Sequence, residues 1–238
     1  LAAAIASDEL FRMTHPGDAV ARGIGIVTTL GLSVCLYVWG SDPRVPLSLL
    51  FVVPLLGLMV PLWRLGEIPT AALRTFAGVA APFYIGGLLT ALALLRRDAG
   101  AVGPHYVFMC LTFAWLADTG GYFFGRFLGK RKLYEAVSPK KTRAGFVGAL
   151  LGAELGGLLG HFFYLRSIPL THVVPLALVA GALGQFGDLV ESLLKRSTGI
   201  KDSGSIVPGH GGMLDRIDAL IIVAPVVYLY VLWVGVGG

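Results

Sequence analysis

The chain has 238 residues, of which 55% are hydrophobic and only 14% charged, with a formal net charge of +5 and a mean hydropathy of +0.77. Soluble domains carry about 25% charged and 45–50% apolar residues, so this composition excludes a soluble enzyme, a disordered tail and a secreted disulfide scaffold. Cys35 and Cys110 both lie inside apolar stretches, which argues against a disulfide framework.

Residues 1–6 read as the end of an apolar helix, which predicts one or more spans upstream of Leu1. A spanning helix needs about 20 mostly apolar residues. Seven segments meet or approach that length: residues 23–40, 45–63, 76–95, 105–125, 144–165, 170–187 and 219–236. Pro54, Pro82, Pro175 and Pro225 fall inside them, which membrane helices tolerate when neighbours satisfy the freed carbonyls. The expected fold is therefore an all-α, polytopic transmembrane bundle. Of the 19 Lys and Arg residues, 15 fall on one side of the predicted membrane; only Arg44, Arg96, Arg97 and Arg166 fall on the other. The positive-inside rule assigns the basic side to the cytoplasm, giving a multi-pass protein of the cell membrane with cytoplasmic active-site loops. The same asymmetry accounts for the pI near 9.4 with no nucleic acid as partner.

Two cytoplasmic loops, residues 126–143 and 195–218, are longer and richer than topology needs. In the fifth span Gly148, Gly152, Gly156 and Gly160 mark every fourth residue. Such a small-residue ridge lets another helix approach closely, either within one subunit or across a homodimer interface.

Carboxylates inside a membrane are costly and are functional candidates by default. Asp188 ends the sixth span, and Asp188, Glu191, Ser192 and Lys195 share one helical face if the helix continues. A second acidic cluster lies in Pro208-Gly209-His210-Gly211-Gly212-Met213-Leu214-Asp215-Arg216-Ile217-Asp218. Its glycines make a bare backbone able to present N–H groups to phosphate at a helix start. Asp215 and Asp218, one helical turn apart, are hard oxygen donors of the kind that suits Mg²⁺. His210 fits either a phosphate or nucleotide contact or a hydrogen bond within the turn. Between the clusters run Lys195, Arg196 and Lys201, an anion-binding stretch once bracketed by acids. The other loop repeats the theme, with Asp118-Thr119-Gly120-Gly121 before Arg126 and Ser138-Pro139-Lys140-Lys141-Thr142 after it. The Gly-x4-Gly-Lys-Ser/Thr spacing of a Walker loop is missing. Carboxylates, cations and glycine turns at the inner face of a bilayer point to metal-assisted phosphate transfer involving a membrane lipid.

Residues 192–218 resemble the signature of the phosphatidate cytidylyltransferases, also called CDP-diacylglycerol synthases. That pattern runs Ser-x-apolar-Lys-Arg, Lys-Asp-x-Gly and Pro-x-His-Gly-Gly-apolar-x-Asp-Arg-apolar-Asp. It is met here by Ser192, Leu194, Lys195, Arg196, Lys201, Asp202, Gly204, Pro208, His210, Gly211, Gly212, Met213, Asp215, Arg216, Ile217 and Asp218. Asp118-Thr119-Gly120, Tyr122-Phe123-Phe124-Gly125-Arg126 and Lys141-Thr142 also resemble the family. Arg143-Ala144-Gly145 departs from its usual Trp-Glu-Gly, and Val207 stands where a larger residue is usual. The resemblance implies N-terminal transmembrane helices over residues 1–104 and a catalytic transmembrane region over 105–238, with a polar cavity facing the cytoplasm. It implies CTP and phosphatidate as substrates, CDP-diacylglycerol and pyrophosphate as products, and the lipid bilayer as medium. The family's two-metal site maps onto Asp188 and Asp215 with Asp218 close by, holding Mg²⁺ and a second metal ion. Asp188, Asp215 and Lys195 are then catalytic. Asp118, Lys141, Ser192, Arg196, Lys201, His210, Gly211, Gly212 and Arg216 bind substrate. Two other classes fit the same acids: a CTP-dependent lipid kinase, and an ion-coupled transporter using Asp118, Glu154 and Asp188.

Overall fold

The computed structural model describes residues 1–204 and 211–235. Its helices are α1 (Ala2–Thr14), α2 (Ala19–Trp39), α3 (Arg44–Trp63), α4 (Ala71–Ala81), α5 (Leu88–Asp98), α6 (Gly103–Leu128), α7 (Arg143–Phe163), α8 (Leu170–Ser197) and α9 (Leu214–Val234). Among the described residues, seven helical stretches are long and apolar enough to cross a membrane, as the hydropathy reading requires. The chain forms two compact units, one of Leu1–Thr90 with Ser197–Arg216 and one of Ala91–Arg196 with Ile217–Gly238.

In the first unit, α1 runs on past Ala6 to Thr14 as an amphipathic helix. Its buried face includes Ala6, Glu9, Leu10 and Phe11. The Phe11 ring occupies the space that a Cβ on Gly25 would need, which sets α1 close against α2. Asp18 caps α2 by accepting the Ala21 N–H at 3.0 Å and is itself paired with Arg64 at 3.2 Å. Gly57 of α3 and Gly78 of α4 meet backbone to backbone, the close approach that small residues permit in membranes.

The third span begins earlier than hydropathy indicates, covering Ile68–Asp98. Arg74, read from the sequence as a loop residue, lies on α4 and is 5% exposed. Its guanidinium donates to the carbonyls of Arg64 and Glu67 at 3.0 Å and to that of Leu65. A charged head whose two terminal nitrogens donate to carbonyls just after α3 can sit on a mostly apolar helix. Between α4 and α5, Pro82–Gly87 is a π-helical turn. Proline lacks the N–H that would close the α-helical ladder, and the wider turn absorbs that break. The carbonyl of Gly86 there accepts from Ser33 Oγ at 2.9 Å and Thr90 Oγ1 at 2.5 Å.

The second unit has its own core, in which Tyr106, Met109 and Phe113 of α6 pack with Ala149, Ala153, Val173, Ala177, Val223 and Val227. The glycine ridge of α7 is used here, inside one chain. Cβ atoms on Gly148, Gly152 and Gly156 would strike the backbone of α6 at Gly120, Leu116 and Thr112. Between α6 and α7 the chain forms an antiparallel hairpin, β1 (Lys132–Tyr134) and β2 (Ser138–Thr142), in the register Lys132↔Thr142 and Tyr134↔Ser138. By its sequence this segment reads only as a cytoplasmic loop rich in Lys and Arg. The hairpin is a small addition to an otherwise helical fold, and it sets the direction of Lys140 and Lys141.

Candidate functional site

The functional side chains of the second unit gather where β2 runs into α7. Thr142 ends the strand and also caps the helix, its Oγ1 accepting the Gly145 N–H at 3.0 Å. Lys141 is thereby held between a strand and a helix cap, and its Nζ lies 2.6 Å from Oδ2 of Asp188 on α8. Ser192, one turn along α8, donates from Oγ to the other Asp188 oxygen at 3.4 Å. Asp118 of α6, Lys140, Lys141, Thr142, Gln185 and Asp188 line one cavity of about 180 Å³. Tyr122, Leu133 and Phe146 complete its wall together with glycines at 121, 125 and 145, which leave part of it as bare backbone.

Asp218 joins α8 through close helix contact. A Cβ on Gly187 would lie 3.0 Å from the Asp218 carbonyl and 2.7 Å from Ile222, so α9 is pressed against the residue preceding Asp188. The Asp218 carboxylate accepts the Ala219 N–H at 2.6 Å. Lys195 pairs with Glu191 at 2.6 Å, one turn apart on α8, and Glu191 is 1% exposed. The expected common face of Asp188, Glu191, Ser192 and Lys195 therefore exists as two linked pairs. Lys195 also balances a buried carboxylate, which its assignment as a phosphate ligand did not include. Arg196 is exposed at the end of α8.

Lys201, Gly211, Gly212, Asp215 and Arg216 fall in the first unit. Lys201 and Arg216 are exposed. Gly211 has φ +78°, a backbone conformation that favours glycine. Oδ2 of Asp215 accepts from the Gly212 N–H at 2.8 Å, the Ser203 N–H at 2.9 Å and Ser203 Oγ at 2.8 Å. His210 lies outside the described residues.

Glu9 is the polar residue that sequence reasoning missed. It is 4% exposed, and its carboxylate accepts the N–H groups of Met213 and Leu214, each at 2.8 Å. The signal was present: Ala2, Ile5, Ala6, Glu9 and Leu10 follow helical spacing, so the acid stands in an apolar stripe.

Among the described residues, no group of three or more His, Cys, Asp or Glu side chains forms a ready-made metal cage. The donor set nevertheless fits Mg²⁺, which keeps several waters and takes one or two carboxylates together with substrate phosphates. Asp118 and Asp188 supply two such carboxylates to one cavity. Glu154, offered by the transporter reading, does not line it.

A family model described as "Cytidylyltransferase family" matches residues 1–234. A Staphylococcus saprophyticus protein named phosphatidate cytidylyltransferase is 46% identical over 123 residues, covering 52% of this chain and 47% of the relative. A Bacillus subtilis protein of the same name is 42% identical over 132 residues, covering 56% and 49%. The chain spans about half the length of the curated relatives it matches.

Proposed function

The chain belongs to the cytidylyltransferase family, and we propose that it transfers the cytidylyl group of CTP to phosphatidate, forming CDP-diacylglycerol and pyrophosphate. The observation that carries the proposal is the Lys141–Asp188 pair beside Asp118 in one partly glycine-walled cavity. Cation and carboxylates side by side match the needs of a triphosphate carrying a divalent metal ion, as a lone basic patch does not.

A phosphate oxygen of the lipid attacks the α-phosphorus of CTP, a P–O bond forms, and the α–β bridge breaks to release pyrophosphate. The lipid phosphate is already anionic near neutral pH, so no strong base is required. Lys141 neutralises phosphate charge at the cavity, and the glycines at 121, 125 and 145 let phosphate oxygens approach backbone closely. Lys195, Arg196 and Lys201 provide further positive charge, and Ser192 orients Asp188 through its hydroxyl. Asp118 and Asp188 would hold Mg²⁺, whose charge stabilises the departing pyrophosphate when bound. Asp215 and Asp218 are proposed as metal ligands on the family signature. The two basic loops are proposed to face the cytoplasm, where CTP is made, on the strength of their Lys and Arg content.

Labelled CTP tests the reaction directly. With Mg²⁺ and phosphatidate, α-label enters the lipid and γ-label leaves as pyrophosphate. Appearance of γ-label in the lipid would identify a kinase, and absence of any nucleotide turnover would favour a transporter.

Charge removal tests the binding residues. Lys141→Ala and Lys201→Ala are each expected to raise KM for CTP about ten- to a hundredfold, because each deletes one charge-assisted hydrogen bond worth roughly 1.5–3 kcal/mol. Arg97→Ala is the control. Arg97 pairs with its neighbour Asp98 on the opposite predicted face, so KM should not move. Equal damage from all three substitutions would refute the assignment of sides.

A further inference from the structure

Glu9 is separated in sequence by about two hundred residues from the groups it binds. Its Oε1 accepts the Met213 N–H, while its Oε2 accepts the Leu214 N–H and lies 3.0 Å from Ser203 Oγ. These N–H groups belong to the start of α9, where the first turn has no intrahelical acceptors and the helix dipole favours a negative charge. The same Ser203 hydroxyl reaches Oδ2 of Asp215 at 2.8 Å. Ser203 thus stands between two carboxylates, and four backbone N–H groups converge on the pair.

Two signature glycines are explained by this insertion. A Cβ on Gly204 or on Gly212 would lie 2.5 Å from a Glu9 carboxylate oxygen. Any side chain at either position would expel Glu9 from the turn. The glycines of this stretch therefore make room for a glutamate as well as for a substrate, and the glutamate, 4% exposed, is held by these donors. An ionised carboxylate accepts from all of them at once, because both its oxygens are acceptors.

We propose that Glu9 is a positioning residue for the reaction: it clamps the turn containing Ser203, Gly204, Gly212 and Met213, and through Ser203 it fixes the orientation of Asp215. The proposal rests on the reading of Asp215 as a participant in cytidylyl transfer. Glu9 itself touches neither substrate nor metal. Its effect is on kcat, through the placement of Asp215.

The test compares the full chain with Glu9→Gln, Glu9→Asp and Ser203→Ala, purified in detergent. Glutamine matches glutamate in shape but turns an amide NH₂ towards one of the two helix N–H donors. Glu9→Gln is expected to lower kcat about ten- to a hundredfold, the effect of losing a charge-assisted hydrogen bond, with KM for CTP unchanged. Glu9→Asp, which keeps both acceptor oxygens, should recover part of the lost kcat. Ser203→Ala removes the link to Asp215 while leaving the cap on α9, so it should lower kcat without lowering the melting temperature. Amide hydrogen exchange at Met213 and Leu214 should quicken in Glu9→Gln and stay slow in Ser203→Ala, and this readout needs no activity. Wild-type kcat in both Glu9→Gln and Ser203→Ala would overturn the proposal. So would a Glu9→Gln protein that melts earlier but keeps full kcat per folded molecule, since Glu9 would then be a structural cap only. If the wild-type chain makes no CDP-lipid while its Met213 and Leu214 amides are protected, the transfer reading fails and the clamp stands as a structural feature.

Discussion

Asp188→Asn is expected to lower α-label transfer by at least about a hundredfold, the scale of removing one preorganised electrostatic group from a reacting site, while the protein still folds. Asparagine keeps the shape of aspartate and can still accept from Ser192. It cannot hold a cation against water, and it leaves Lys141 without the anion now 2.6 Å away. Melting temperature in detergent should change little, because Asp188 is half-exposed and makes no backbone contact that the amide loses. Raising Mg²⁺ should restore part of the activity, which a purely structural defect would not do. Full activity in Asp188→Asn would remove it from the site.

The second large effect concerns packing. Gly152→Leu should destabilise the protein by about 3 kcal/mol, the upper end of what overpacking a tight site costs, read as a lower melting temperature and a lower folded yield. The reason is the identity of the neighbours. A Cβ there meets the carbonyl of Leu116 and, at 3.1 Å, the amide nitrogen of Ala117, both backbone atoms that cannot rotate away. Gly31→Leu is the matched control, because nothing lies within 4 Å of a Cβ at that position. Equal loss from both substitutions would mean that α6 and α7 do not meet along this ridge. A homodimer, if one forms, has to use a different surface, since Gly148, Gly152 and Gly156 already face α6.

Hydropathy made the seven membrane-length helices legible because twenty apolar residues in a row have few other uses. It misplaced the start of the third because Arg74 looks like a loop residue until its three carbonyl partners are known. Those partners are carbonyls of the turn after α3, and composition does not show that the chain folds back to bring them to the guanidinium. The hairpin was hidden for a related reason: Ser138-Pro139-Lys140-Lys141-Thr142 has no apolar alternation, so nothing in its composition announces a strand. At the site, Asp188 and Lys141 were identified by residue type and motif, but their pairing across 47 positions was not. Glu9 was passed over because the stretch of α1 present in the sequence, Ala2–Thr14, is too short to register as a span. The buried partner of Lys195 was within reach, since Glu191 precedes it by one helical turn. Only its depth required coordinates.

Thr142 serves two elements at once, ending β2 and capping α7. For Lys141 this has an entropic consequence. A lysine on a free loop surrenders both backbone and side-chain freedom when it closes on an anion, and that loss is subtracted from the affinity. Here the backbone on either side is already immobile, and the side chain, 18% exposed, is already extended towards Asp188. Most of the ordering was completed when the chain folded. A phosphate bound at this cavity would therefore meet a cation whose position is set beforehand, and more of the electrostatic attraction would be retained as binding.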